Sequence, residues 1–144
     1  MAKTLTAANS VIMLTVAGLF DVPQRLSGFA ADDVVDTDQV DSAETMMGVD
    51  GRLSAGWIPA PIKQTFSLQA DSDSLTFFEG WYVAQQGIRE LYIASGTIYL
   101  PATQRKYTLR RGFLTNHGIM PTIKKVLQPR KFGITWEGLS SAGF

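Results

Sequence analysis

The sequence has no cysteine. Disulfides, zinc–thiolate sites and cysteine nucleophiles are excluded at once. It has a single histidine, His117, so any Ser–His–Asp arrangement has only that residue to build on. No G-x-S-x-G elbow accompanies it. Set between Asn116 and Gly118, it reads as a turn histidine in solvent. Also lacking is any apolar run of about 18 residues, the length a membrane-spanning helix needs. Phosphate-cradling G-x-G-x-x-G and Walker patterns are missing, as are internal repeats and low-complexity linkers.

Net charge is missing as well, with 13 basic and 13 acidic residues. The balance is uneven along the chain. Residues 1–90 carry 12 acidic and 5 basic side chains, a net of −7, and residues 91–144 carry 1 and 8, a net of +7. Neither half reads as a charged tail, because both contain strand patterns. Two oppositely charged faces of one domain are expected, able to attract the faces of another copy.

What is present suits one domain spanning 1–144. A chain of this length hides about two-thirds of its unfolded surface. The opening "MAKTLTAANSVIMLTVAGLF" weakly resembles a secretory signal. Thr15 and Gly18 interrupt its apolar part, and "VIMLTVA" reads better as a strand. Pro23 makes "LFDVPQRLSGF" an edge or bent strand. "DVVDTDQVD" is a further, half-wet strand, with Val34, Asp36, Asp38 and Val40 on one face. "IKQTFSLQA" alternates: Ile62, Gln64, Phe66 and Leu68 face one way, Lys63, Thr65, Ser67 and Gln69 the other.

"DSDSLTFFEGWYVAQQGI" is the one good helix. Asp71, Ser72, Asp73 and Ser74 offer N-cap oxygens. Leu75, Phe78 and Tyr82, with Phe77, Trp81, Ala84 and Ile88 beside them, form a wide apolar face. Gly87 is the expected stop, and Gly80 costs about 1 kcal/mol or marks a close contact. The C-terminal third returns to strands. "LYIASGTIYL" is broken at Gly96, a candidate bulge. "RKYTLRRGFL" and "RKFGITWEG" alternate, "NHGIMP" is turn chemistry, and "PTIKKVL" is a short strand or helical turn. The sum is mainly β with one flanking helix: a β-sandwich or a strongly curved antiparallel sheet.

The search for chemistry comes back thin. An EF-hand begun at Asp36 would place Val40, Asp41 and Met47 at positions five, six and twelve, where the motif needs an oxygen ligand, Gly and Glu. The acidic run from Asp32 to Asp41 is a solvated face. No two carboxylates are grouped in an apolar pocket. The pairs Arg105–Lys106, Arg110–Arg111, Lys124–Lys125 and Arg130–Lys131, interleaved with Tyr107 and Phe113, leave one binding alternative: a single-stranded nucleic-acid module using the basic C-terminal half. No catalytic residue, cofactor or metal is expected.

One stretch fits none of this. "TMMGVDGRLSAGWIPAP", within a long loop at about 42–61, mixes turn residues with large apolar ones. The longer segment "MGVDGRLSAGWIPAPIKQTFSLQADS" (Met47 to Ser72) resembles part of the tail tube proteins of contractile-tailed bacteriophages. The order of features, from N-terminal strand through acidic segment, loop and helix to basic β C-terminus, is similar along nearly the whole chain.

That resemblance implies a small β-sandwich with a flanking helix, a fold shared with pyocin-like particles and type VI secretion tubes. It implies six-membered rings stacked into a hollow tube, whose strands join an intersubunit β-barrel lining the lumen. The implied partners are the chain itself, the tail sheath protein, the tape-measure protein and the baseplate, with DNA passing unbound. The implied place is the virion tail, assembled in the host cytoplasm. A baseplate or tail-terminator protein of the same fold is the alternative within that machinery. On this reading Asp36, Asp38, Lys63, Thr65, Ser67 and Gln69 face the lumen, with Lys63 departing from an acidic lining. Met46, Met47, Val49, Leu53, Trp57 and Ile58 make intersubunit contacts, in a flexible arm that orders on assembly. Trp57 is its anchor.

Overall fold

A computed structural model describes residues 10–29 and 34–143. Asp32 and Asp33, at the start of the acidic run, and the first nine residues of the signal-like segment lie outside the described residues. The strands are β1 (Val11–Val16), β2 (Phe20–Arg25), β3 (Val35–Thr37), β4 (Ala43–Met47), β5 (Leu53–Trp57) and β6 (Ile62–Leu68). Helix α1 (Leu75–Ile88) comes next, then β7 (Ala94–Leu100), β8 (Arg105–His117) and β9 (Arg130–Gly143).

Seven strands make one sheet in the order β2-β1-β7-β8-β9-β6-β3, and β4 and β5 make a separate two-stranded sheet. Every neighbouring pair is antiparallel. This is the curved sheet of the two expected architectures, not two stacked sheets. Pro23 sits on edge strand β2, where its missing N–H costs no ladder bond. The acidic strand is shorter than its sequence pattern, with three residues in β3.

Bulges bend the sheet. The β7–β8 register slips between Ala94 and Gly96, at the break that Gly96 marks in the sequence. The extra residue lies on β8, where Arg111 takes a left-handed φ of 44°. A second slip lies between Leu114 and Asn116 in the β8–β9 ladder. The curl carries the two edges toward each other. After β2, Leu26 donates its N–H to Ile12 of β1, and three residues later Phe29 bridges to Leu68 of β6. Among the described residues no ladder joins β2 to β3, so the sheet stays open.

The inner face alternates as period-two patterning demands. Ile12, Leu14 and Val16, then Phe66 and Leu68, then Phe132, Ile134 and Trp136 are all buried. Gln64 shares that face, also buried, and is satisfied on both sides of its amide. Its oxygen accepts from Trp136 Nε1 at 3.0 Å, and its nitrogen donates to Thr37 Oγ1 at 2.9 Å. Helix α1 closes one end with Leu75, Phe77, Phe78 and Trp81. Phe78 stacks on Phe132 at 4.4 Å with ring planes 9° apart, and Phe77 meets Phe20 at 4.7 Å.

Four local expectations are corrected. Ser74 holds the N-cap position but its side chain does not cap the helix. Its hydroxyl instead accepts from the N–H of Ser27, while Ser72 donates to the Ser27 carbonyl, so both serines tie the helix start to the chain after β2. Gly87 does not end the helix; Arg89 does, in left-handed geometry with φ 57°. Ile88, expected on the apolar face, is exposed. "PTIKKVL" is neither helix nor strand, but a loop closed by a bridge between Ile123 and Leu127. Gly80 does mark a close contact, since a Cβ there would lie 3.4 Å from Phe20.

Gly112 faces a rigid, buried ring across the sheet. A Cβ there would lie among the ring atoms of fully buried Trp136. We expect Gly112→Ala to destabilise the fold by about 1–3 kcal/mol through displacement of that ring. Gly56→Ala, which meets nothing within 4 Å, should be near neutral. Urea unfolding midpoints of the two variants check this.

Candidate functional site

The stretch expected to be a long loop is a β-hairpin. Its glycines and prolines favour a loop in the sequence, but Gly48 and Gly51 form a turn between two strands. Gly48 donates to the Arg52 carbonyl at 2.8 Å, and Asp50 Oδ1 accepts from the Arg52 N–H at 3.1 Å. Gly51 has φ 84°, which glycine alone adopts without strain. Ile58 donates to the Ser42 carbonyl at 2.9 Å and extends the pairing at the root.

All ten residues of β4 and β5 are exposed. Directly paired residues share a face. Ala43–Trp57, Thr45–Ala55 and Met47–Leu53 therefore make one nearly apolar face, and Glu44–Gly56 and Met46–Ser54 make the other. The six residues singled out from sequence are thus divided. Met47, Leu53 and Trp57 act together, Met46 lies opposite, Val49 is at the tip, and Ile58 is at the root. A half-apolar sheet of two strands is built to be covered on one side. Trp57 is 79% exposed, so its own domain does not cover it.

The polar residues of β3 and β6 also sort by register. Asp36 pairs with Thr65, and Asp38 donates its N–H to the Lys63 carbonyl. Asp36, Asp38 and Lys63 are exposed and Thr65 is half-buried. Gln69 is exposed beyond the end of β6, bonded to the Gly28 carbonyl. Ser67 departs from expectation: it is 3% exposed, at the point where its N–H meets the Val34 carbonyl as the chain returns over this end of β6.

A second exposed surface lies at the helix end of the molecule. The loop at 118–129 shows Ile119, Met120, Ile123, Val126 and Leu127 to solvent. Its base is held by Arg130, whose side chain is almost wholly buried. The guanidinium donates to the Gly118 and Ile119 carbonyls at 2.9 and 3.0 Å and pairs with Glu79 of α1. It also lies 5.2 Å from the centroid of the Phe132 ring. In the sequence Arg130 counts among the surface basic pairs. Its fork geometry, matched to two carbonyls and a carboxylate, has no signature in a linear sequence.

His117 is not a free turn histidine. β8 carries it under the helix, where its ring lies flat on Tyr82 at 4.2 Å and 4.9 Å from Phe132. Its Nδ1 is buried with no hydrogen-bond partner among the described residues. Burial lowers its pKa below 6.5, and the Arg130 charge lowers it further, against an opposing pull from Glu79.

The family described as Tail fiber protein gp32 matches residues 3–140. The chain belongs to that family. It is therefore a structural component of a tail. No curated protein matches it. Among solved structures, its fold is similar to a chain in the anti-feeding prophage baseplate, with TM-score 0.63, 8% identity, and 99% and 98% of the two chains covered. It is equally similar to a chain in the sheath/tube terminator of the extracellular contractile injection system PVC, with TM-score 0.63, 10% identity, and 99% of each chain covered. A chain in the sheath–tube complex of that system has TM-score 0.54, 11% identity, and 92% and 88% covered. The tail-tube-like fold implied by the sequence resemblance is thereby established.

The His117 geometry fixes a pH dependence. The folded state holds a neutral imidazole, while the unfolded chain takes up a proton near 6.5. The folded pKa is lowered, so the contribution is full above 6.5 and is lost as pH falls through the lowered folded value. His117→Phe keeps the stacked ring and removes the proton. Its urea midpoint should fall less than the native midpoint when compared on the two sides of 6.5.

Proposed function

We propose that this protein is a ring-forming subunit of the tail tube, and that its hairpin packs against a neighbouring subunit. The observation that carries this reading is the hairpin's apolar face, which nothing among the described residues covers. The Met and Trp side chains of the hairpin suit an uneven groove and a buried anchor. An open sheet whose edges β2 and β3 carry no further ladder among the described residues supports closure across subunits, which removes those edges.

Asp36, Asp38, Lys63 and Thr65 would then line the lumen, a wall of mixed charge that does not hold DNA phosphates. Ser67 contributes only if the end of β6 opens on assembly. The sheath, the tape-measure protein and the baseplate are the other partners of such a tube, in the virion. The subunit carries no catalysis. A terminal ring, at the baseplate or the terminator, is the second reading, favoured by the likeness to chains in those assemblies. A nucleic-acid module is disfavoured by Tyr107, which packs against the hydrophobic core and leaves the basic β8 face without that stacking platform.

Size-exclusion chromatography with negative-stain microscopy tests the reading. Rings or hollow tubes are expected from the native protein, and their loss when residues 43–57 are replaced by a short Gly/Ser linker. Fluorescence gives an independent readout. Trp81 and Trp136 are fully buried, so Trp57 should carry most of the iodide-quenchable emission in the free subunit. That fraction should fall sharply on assembly. A single-stranded DNA titration that shows steeply salt-dependent binding would count against the tube and for the nucleic-acid module.

A further inference from the structure

The hairpin and the loop at 118–129 lie at opposite ends of one ladder. The hairpin returns to the body at Ile62, which pairs with Trp136. The loop ends at Arg130, which pairs with Leu68. The intervening register is continuous, so the two roots stand roughly 20 Å apart along the strands. Each surface is apolar and exposed. A patch at one end that fits a patch at the other end of the next copy gives a heterologous contact, which propagates.

The loop end offers a receiving shape. Val126, Leu127, Pro129, Ala70, Gln69 and Asp71 line a cleft of about 480 Å³. That volume lies in the range of clefts that hold ligand-sized apolar groups. The charges are complementary. Residues 118–129 carry Lys124 and Lys125 and no acid, a net of +2. Residues 41–58 carry Asp41, Glu44 and Asp50 against Arg52, a net of −2. Asp71 is the acidic exception in the cleft wall, as Arg52 is the basic exception on the hairpin.

We propose that the hairpin face bearing Met47, Leu53 and Trp57 docks in the Val126–Leu127–Pro129 cleft of a second copy. Lys124 and Lys125 then stand beside the hairpin's acidic residues and set the register. This rests on the ring-stacking reading and names the surface that receives the hairpin. Arg130 and the His117–Tyr82 stack hold that surface in place without touching the guest.

The absence of native cysteine makes the contact directly measurable. Leu53→Cys and Val126→Cys are placed together in one chain. Both positions are exposed, so neither substitution disturbs the core. Oxidation of assembled protein should give a ladder of covalent multimers on a non-reducing gel. Ser54→Cys with Val126→Cys, on the opposite hairpin face, should give little. Lys124→Glu with Lys125→Glu should raise the concentration needed for assembly about tenfold or more, and adding Glu44→Lys with Asp50→Lys should restore it.

Tubes seen by microscopy with no ladder and no charge-swap effect would overturn the docking site and leave the ring reading intact. Absence of any assembly by the unmodified protein, seeded or not, would overturn both.

Discussion

The stack of Phe78 on Phe132 is the contact on which the body depends. It joins the helix to β9, which lies between β8 and β6 in the large sheet. The rings of Phe77 and Trp81 lie 5.3 and 6.3 Å from that of Phe78, and both are buried. A sheet this curved has a concave face that its own side chains cannot fill alone. The helix supplies the missing volume at one end. Arg130 then uses the same neighbourhood twice, lying over the Phe132 ring and pairing with Glu79, the residue after Phe78 in α1. The base of the adjacent loop is fixed by the same guanidinium. A buried charge of this kind is tolerated because its donors meet two carbonyls and a carboxylate.

With the helix in place, the body's core is complete, and none of it reaches the hairpin. That division explains the unusual distribution of apolar side chains. Tryptophan occurs at three positions: two are fully buried, and the third, Trp57, stands in solvent. A globular chain has no reason of its own to pattern an arm in this way. The face-by-face arrangement of Met47, Leu53 and Trp57 is the pattern of a strand pair that expects a surface. The uneven charge has a similar origin. Acidic residues are spread over the Asp36–Asp50 stretch and in and around α1 (Asp71, Asp73, Glu79, Glu90), and basic ones lie on β8, β9 and the loop at 118–129, because different parts of the molecule present them.

Much of this is legible in the residues. The helix, the alternation of β6 and the edge character of the Pro23 strand come from local rules, and the structure keeps them; at Gly96 the strand runs on unbroken and the bulge falls on its neighbour β8. The hairpin reads as a loop because its glycines and prolines outweigh a weak alternation. The Asp50–Gly51 pair, between Met47 and Leu53, is the hairpin turn signal hidden among them. His117 and Arg130 escape the sequence for another reason. The ring of His117 is placed by Tyr82 of the helix, and the guanidinium of Arg130 by Glu79 and two carbonyl oxygens. Neither set of contacts has a local pattern. Ser74 keeps the capping rule in position but not in bonding, because its hydroxyl is taken by the chain after β2, while Ser72 accepts from the Ser74 N–H and donates to the Ser27 carbonyl.

Docking of the hairpin on the cleft of a second copy, as proposed, would have a consequence for assembly. A contact between unlike surfaces at opposite ends of a subunit cannot satisfy itself in a pair. Each added copy covers one hairpin and leaves one hairpin or one cleft free. Growth would therefore have a polarity and no internal stopping point. On that docking, length would be set by something other than this chain, such as a different protein that offers one of the two surfaces without the other. A fold shared between tube, terminator and baseplate assemblies meets that requirement. On the proposed docking, altering the hairpin or the cleft would let the same curved body end a stack, and a repeating subunit would differ from a terminal one in the segments at either end of the β6–β9 ladder.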